Sequence, residues 1–568
     1  MDLGSNQQEA LLSKVLVADN YMSNKAPGSI SKSIYKSPKR DQIKHLDDLP
    51  YIDRSLIDYN KYHKFVGHAG RKYHMPIQAT RGCPYRCFYC DIYKTALINR
   101  KRTPDNLFSE VEMLADMGVK RIEFIDDIFN VDKKYFANFF NRVKKHNLDL
   151  EFFFPTGLKG DLLDQETIDV MVQGGTVGLN LSLEHPSPRL QKVMRKNLDV
   201  DKFHESMDYI TRTYPSVILG MNAMHGFPTE TEEEALLTLD FIKSIKWIHF
   251  PYLFNVRIFP GTELESFALE SGVSPDLIVL AQEMPYEDYS PTLPFSEKFN
   301  QMIWMKYTKE YVLNKERLLH VLPYQMKVYS EDELNQKYRS YFLQRLNGLD
   351  DLLKLVNIDR SELAVSKAVS ESEIRIPDLG NKINKYFPSQ EKDNDALKIL
   401  LIDLTSFFDV SENNREYSVI EPPIGLMSIL TYLNQKFKSK ISGKIIKSRV
   451  DFNSSEEMLR MISEFSPDII GVRTLTFYKS FFHEMISCIR EHGVKVPIIA
   501  GGPHITASHE IALSDENIDL AVIAEGEITM AEIVGEMLSN NKKMPAKDKL
   551  RNINGVAFTE TAKAVAEV

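Results

Sequence analysis

The stretch Arg81-Gly82-Cys83-Pro84-Tyr85-Arg86-Cys87-Phe88-Tyr89-Cys90 places three thiols at the spacing C-x3-C-x2-C. The 568-residue chain has 4 cysteines in all. A secreted disulfide protein distributes its thiols and pairs them, so a cluster of three points to a metal instead. Thiolates are soft donors that suit iron–sulfur clusters. Three of them on a cubane [4Fe–4S] cluster leave one iron without a protein ligand, and a fourth cysteine would close that reactive position. Zinc is a competing occupant, but it usually takes four Cys or His ligands, often as two separated pairs. No His or further Cys lies near enough in sequence to complete such a set. Three incidental thiols are the remaining alternative. The fourth cysteine, Cys488, falls in an amphipathic helical stretch and reads as a buried structural thiol.

Working outward, Met75-Pro76-Ile77-Gln78-Ala79-Thr80 precedes the thiols as a strand-like segment. Apolar runs such as Ile122–Ile125, Glu151–Phe154 and Gly178–Leu183 then alternate with helical patterns. Repeated βα units of this kind predict a parallel sheet flanked by helices. The expected divisions are a lead-in over 1–74 with little core of its own, a βα domain over 75–295, a helical extension over 296–370 and a linker over 371–396. A second βα series over 397–568 has the length of one doubly wound domain.

The bulk composition is that of an ordinary globular chain, 43% hydrophobic and 26% charged. The net charge of −9 argues against a nucleic-acid partner held by electrostatics. No apolar run reaches the roughly 18 residues of a membrane span, and the first residues lack a signal-peptide pattern. A cytoplasmic protein without a membrane span is expected.

The segment from about Leu46 to Leu264 resembles the radical S-adenosylmethionine (SAM) superfamily. That resemblance implies a partial (β/α)6 TIM-like barrel, a [4Fe–4S] cluster on Cys83, Cys87 and Cys90 after the first strand, and SAM chelated to the open iron. It implies further roles one residue at a time. Tyr89 matches the aromatic position whose backbone contacts adenine. Asp126 and Asp127, in Phe124-Ile125-Asp126-Asp127, match the acidic end of the second strand near the SAM amino group. Capping of a turn is the alternative for these two aspartates, but a strand end beside the expected cavity favours a site role for at least one of them. Glu184, ending Gly178-Leu179-Asn180-Leu181-Ser182-Leu183-Glu184, matches a glutamate that helps hold SAM, and a ligand explains an acid there better than packing does. Gly226–Thr231 and Phe259–Leu264 resemble two later loops and fit turn chemistry equally well.

Residues 397–565 resemble the cobalamin-binding domain of many radical SAM enzymes, a flavodoxin-like or Rossmann-like doubly wound fold. The resemblance rests on Glu421-Pro422-Pro423-Ile424-Gly425-Leu426, Ser466–Val472 with Gly471, Gly501-Gly502-Pro503-His504-Ile505-Thr506 and Glu525-Gly526-Glu527. Gly425, Gly471, Gly501, Gly502 and Gly526 are then expected to let backbone approach cobalamin, with His504 a loop or nucleotide-tail contact or simply a helix-start residue. Many cobalamin domains present a D-x-H-x-x-G histidine to cobalt; the corresponding loop here, Asp403–Asp409, has none. The alternative is a flavodoxin-like module without ligand. The domain also follows the radical domain, whereas in the enzymes it resembles it usually precedes. The run from Ala26 to Pro50 looks like the exit from such a domain, so the chain reads as a rearranged protein or a piece of a longer one.

The functional expectation is a radical SAM enzyme performing cobalamin-dependent methylation of an unactivated carbon. A cobalamin-dependent cyclase or rearrangement enzyme, and a non-catalytic iron–sulfur or cobalamin protein, are the alternatives. The expected partners are a small-molecule or biosynthetic-intermediate substrate and an electron donor such as flavodoxin or ferredoxin.

Overall fold

A three-residue strand, β1 (Ile34–Lys36), opens the described part of the chain and pairs with a strand near its far end. In this computed structural model the described residues are 33–92, 96–283, 294–342, 346–365, 367–408 and 419–560. They fall into two units. The first contains His63–Leu379 and the described end of Asn414–Glu421; the second contains the described part of Tyr21–Tyr62 with Gly380–Asn413 and Pro422–Val568.

The first unit is built on six strands: β2 (His74–Ile77), β5 (Arg121–Phe124), β6 (Glu151–Phe154), β7 (Thr176–Glu184), β8 (Ile218–His225) and β9 (Phe250–Asn255). A small antiparallel pair, β3 (Thr80–Arg81) and β4 (Arg100–Lys101), interrupts them after β2. The six pair in parallel and in sequence order, β2-β5-β6-β7-β8-β9. Each strand lies beside the next because a crossover helix returns the chain to the same edge. The crossover helices start where Thr or Asp can cap them. Thr103, Asp132, Asp164, Asp199 and Thr231 each accept a hydrogen bond from a backbone N–H in the first turn. Between sheet and helices lies a phenylalanine core, in which Phe124 stacks on Phe154 at 4.9 Å and meets Phe139 edge-on at 5.4 Å. The architecture is the (β/α)6 partial barrel expected from the sequence.

The region expected as a helical extension holds helices Glu297–Tyr307, Lys315–Val328, Glu331–Tyr341 and Leu349–Leu355. Buried polar groups fix it to the sheet. Arg317 donates from Nη1 to the carbonyls of Ile248 and His249, both at 2.9 Å, and Glu333 accepts from Arg121 Nη1 at 2.6 Å. The stretch 371–396 is more structured than a linker. It carries helices Glu371–Ile374 and Leu379–Tyr386, and Tyr73 donates to Glu371 at 2.6 Å.

The second unit has strands β10 (Leu397–Asp403), β11 (Ile441–Lys447), β12 (Ile469–Arg473), β13 (Ile498–Gly501), β14 (Leu520–Val522) and β15 (Val556–Thr559). The order β15-β14-β13-β12-β10-β11 places β10 between β11 and β12, so the winding reverses there and creates a switch point at the carboxyl edge. β15 runs antiparallel to β14, and β1 adds outside β15 with Tyr35 opposite Phe558. The described part of the segment expected as a lead-in over 1–74 is thus divided between the units. Too polar to form its own core, the 33–62 segment finds its partners in the second unit. Arg40 Nε donates to Thr529 Oγ1 at 2.8 Å and to the Asn554 carbonyl at 3.2 Å.

Candidate functional site

The thiol loop leaves β3 at Gly82, whose φ of 90° and neighbours admit no side chain. An added Cβ would sit 2.4 Å from the Ile98 carbonyl oxygen and 2.7 Å from that of Ala96. The Gly82 N–H donates to Asp127 Oδ2 at 2.8 Å, and the Cys83 N–H to the Ala96 carbonyl at 2.9 Å. Phe88 anchors the far side: its N–H donates to Met194 O and its carbonyl accepts from Leu264 N–H, both at 3.0 Å. Its ring packs on Phe227 and Phe267. Phe88 was not singled out in the sequence, although its place between Cys87 and Tyr89 left it the one apolar side chain of the motif's second half.

Cys83, Cys87 and Cys90 are partly exposed and unbridged. They lie close enough to raise one another's proton affinity. Burial pushes the bare thiols up, Cys83 to about 11 and Cys90 to about 12. A group that replaces these protons with positive charge is what such a thiol set accommodates. Three grouped soft donors therefore fit the cluster.

Asp126 is buried and faces backbone. It accepts from Ala79 N–H at 3.1 Å, from Thr80 N–H, and from Thr80 Oγ1 at 2.7 Å. Burial raises its pKa to about 7 against these hydrogen bonds. Asp126 thus ties the exit of β2 to that of β5, while Asp127 positions Gly82. Both support the thiol loop.

Glu184 ends β7 in a left-handed conformation, φ 62°, next to a register shift against β8. Non-glycine residues hold such geometry at a cost, and it commonly marks a functional position. Its Oε1 accepts from Lys196 Nζ at 2.6 Å and from Tyr89 Oη at 3.2 Å. The structure thus brings Glu184 and Tyr89 together and adds Lys196, a residue the sequence reading passed over.

Glu230 organises the later loop. Its Oε2 accepts from Gly226 N–H at 2.6 Å and Phe227 N–H at 2.9 Å. Its Oε1 lies 3.3 Å from His185 Nε2 and 3.4 Å from His225 Nδ1. Although burial opposes ionisation, the hydrogen bonds and charges of the two histidines hold the carboxyl down at about 2. Gly226-Phe227-Pro228 is a turn wrapped on a buried carboxylate.

In the second unit the glycines divide. A Cβ on Gly425 would meet nothing within 4 Å, and one on Gly501 only the Val522 carbonyl oxygen at 3.9 Å. Gly501 ends β13 and Gly425 is the second residue of helix Ile424–Phe437, so packing requires a glycine at neither position. The other three have packing reasons. A Cβ on Gly471 would fall 2.6 Å from Leu401 Cδ2, one on Gly526 2.8 Å from Ile429 Cδ1, and one on Gly502, at φ 94°, 2.8 Å from Arg473 Cγ. His504 is 2% exposed, with Nδ1 3.3 Å from Thr476 Oγ1. Burial lowers its pKa to about 4 and keeps it neutral. It is a core histidine at the start of a helix rather than an exposed tail contact. Asp403 occupies the strand end where a cobalt-binding histidine motif would begin. It is locked between Lys447 Nζ at 2.8 Å and Arg473 Nη1 at 3.0 Å, across three adjacent strands. Neither glycine is obstructed by a neighbouring side chain, which is compatible with a cofactor approaching the backbone there. Cys488, expected to be buried, is half-exposed on helix Lys479–Glu491.

Residues 77–242 match the family model of the radical SAM superfamily, and residues 413–534 match that of the B12 binding domain. The chain therefore carries a radical SAM domain and a B12 binding domain. Its cofactors are a [4Fe–4S] cluster, SAM and cobalamin. Among curated relatives, an uncharacterized methyltransferase, PH0819, of Pyrococcus horikoshii is 23% identical over 288 residues, 49% of this chain and 58% of the relative. A tRNA-2-methylthio-N(6)-dimethylallyladenosine synthase of Thermosipho melanesiensis is 26% identical over 201 residues, 34% of this chain and 45% of the relative. The chain spans about half the length of the curated relatives it matches. Among solved structures, the methyltransferase TsrM from Kitasatospora setae aligns over 38% of this chain and 40% of its own at TM-score 0.33 and 19% identity. The cobalamin-dependent radical enzyme OxsB aligns over 55% and 54% at TM-score 0.34 and 10% identity. No helix among the described residues is long and apolar enough to cross a membrane.

Proposed function

We propose that this protein is a radical SAM enzyme that methylates an unactivated carbon of a small-molecule substrate with the help of cobalamin. The observation that carries the reading is the loop of three unbridged thiols, Cys83, Cys87 and Cys90, set by Gly82, Asp127 and Phe88 in a chain that also has a cobalamin-binding domain. When bound, the cofactors supply one-electron cleavage of SAM and a transferable methyl group. The chain's own work is positioning. The three cysteines hold the cluster. Glu184, with Lys196 and Tyr89, offers paired negative and positive groups to the zwitterionic methionine end of SAM. Gly425 and Gly501 receive cobalamin on bare backbone. The half-buried loop needs an external electron donor, a small protein such as flavodoxin or ferredoxin.

The reading is tested by the nucleoside products of turnover. A methyl transfer of this type consumes one SAM as methyl source and one as radical source, so S-adenosylhomocysteine and 5′-deoxyadenosine should accumulate in roughly equal amounts. Substrate conversion with 5′-deoxyadenosine alone would replace methylation by cyclisation or rearrangement. Cys87→Ala should produce no 5′-deoxyadenosine, whereas Cys488→Ala should produce both nucleosides; 5′-deoxyadenosine formation by Cys87→Ala would refute the cluster assignment.

A further inference from the structure

The stretch Glu421–Leu426 supplied Gly425 to the cobalamin reading, but its glutamate belongs to the first unit. There Glu421 meets His74 at the start of β2 and Glu123 on the neighbouring strand β5. One ligand atom from each lies within 4.8 Å of the others. From this arrangement we propose that His74, Glu123 and Glu421 form a second metal site, binding one divalent first-row ion such as zinc through nitrogen and oxygen.

Three features support a ligand set over a fortuitous contact. First, the imidazole is held in a metal-binding orientation. His74 Nδ1 lies 3.0 Å from the Arg71 carbonyl, to which it can only donate. In the neutral ring that leaves the lone pair of Nε2, which faces the two carboxylates at 3.0 Å from Glu421 Oε2 and 3.7 Å from Glu123 Oε2. A ring N–H donated to a backbone carbonyl is the usual outer support of a metal-bound histidine. Second, Glu123 is 0% exposed, and neither of its oxygens makes a hydrogen bond of normal geometry. A buried carboxylate in that state carries a desolvation penalty of several kcal/mol, which a coordinated cation offsets. Lys337 interacts with it electrostatically, but its ammonium stands over the Phe250 ring at 4.3 Å. Third, the backbone makes room. A Cβ on Gly67 would lie 2.4 Å from His74 Cε1 and 2.5 Å from Glu421 Oε1, so only glycine lets the three side chains converge. The His68 N–H donates to Glu421 Oε1 and orients it as the Arg71 carbonyl orients His74.

Charge and donor type define the ion. Two carboxylates and a neutral imidazole balance a divalent cation. Mixed nitrogen and oxygen donors without sulfur suit zinc or manganese. The site's place defines its role. His74 begins β2 and the thiol loop follows the end of that strand, so the two lie toward opposite ends of the sheet. The ion would be structural, pinning Val419–Glu421, which already pairs with Val66, to the first two strands.

The test uses the full chain with Cys83, Cys87 and Cys90 all changed to Ser, so that no cluster thiolate competes. After chelator treatment and dialysis, added zinc should be retained at roughly one ion per chain. Its X-ray absorption edge should report nitrogen and oxygen neighbours only. In that background Glu123→Gln and Glu421→Gln, each close in shape to the parent, should lower zinc affinity at least about tenfold while circular dichroism stays unchanged. No stoichiometric zinc, a shell containing sulfur, or undiminished affinity in Glu123→Gln would each overturn the proposal. The spectroscopic readout on the parent stands even where a variant folds poorly.

Discussion

Gly82→Ala should loosen the thiol loop without touching a thiol. The alanine would have to hold the left-handed backbone of Gly82, φ 90°, at a cost of about 1.5 kcal/mol. Its methyl would fall 2.4 Å from Ile98 O and 2.7 Å from Ala96 O, both backbone atoms that cannot swing aside. The loop must therefore move, and the Cys83 N–H to Ala96 O bond, 2.9 Å, goes with it, for about 1 kcal/mol more. Together these amount to about 2.5 kcal/mol, roughly a sixtyfold fall in the population of the ligand-ready loop. Cluster affinity should fall by the same factor, since only that population binds. The assay is anaerobic reconstitution followed by iron retention against a graded chelator, with the melting of the whole chain as control. Equal retention by Gly82→Ala and the parent would refute the account of the loop.

Gly425→Ala should do the opposite: with nothing within 4 Å of its Cβ, it should leave the unloaded protein as stable or up to about 1 kcal/mol more so, yet weaken cobalamin binding. Tight binding of cobalamin by this variant would remove Gly425 from the site. Glu230→Gln should cost about 3 kcal/mol in denaturant unfolding, because two histidines and two backbone N–H groups lose a charged acceptor. With its folded pKa depressed to about 2, Glu230 contributes stability above the ordinary 4.5 that is lost as pH falls toward 2; the variant should lack that part of the acid dependence. Electron paramagnetic resonance of bound cob(II)alamin should show no axial-nitrogen splitting, since His504 is buried in the helix start and the Asp403 loop has no histidine.

The alternation of Ile122–Ile125, Glu151–Phe154 and Gly178–Leu183 made the parallel sheet legible, because strand and helix periods are local properties. The thiol spacing was legible because a metal demands particular donors at short range. What escaped was set by distance. Nothing local pairs Glu184 with Lys196, or Glu230 with His185 and His225, and a lone Glu after Gly-Phe-Pro looks like a helix start. Asp126 shows the converse: the same aspartate serves a cofactor or a backbone turn, and only the position of Thr80 decides. Glycines behaved likewise. Gly425 and Gly471 look alike in sequence, and Leu401 alone makes one of them a packing residue. The N-terminal segment misled because three residues of strand carry little signal until the edge they complete is known.

That edge strand bears on how the protein is made. β1 leaves the ribosome long before its partner β15. Until then β1 has no sheet to join, and the second unit's outer strand stands bare. The long interval costs little at equilibrium, since each doubling of the intervening chain adds only about 0.6 kcal/mol to closure. It matters in time, because an unpaired edge is a template for association with other chains. A clone trimmed to residue 397 onward would keep that edge open permanently. Fragments meant to carry the cobalamin-binding domain should therefore be circularly permuted, with 33–62 grafted after β15, rather than cut from the C-terminal half.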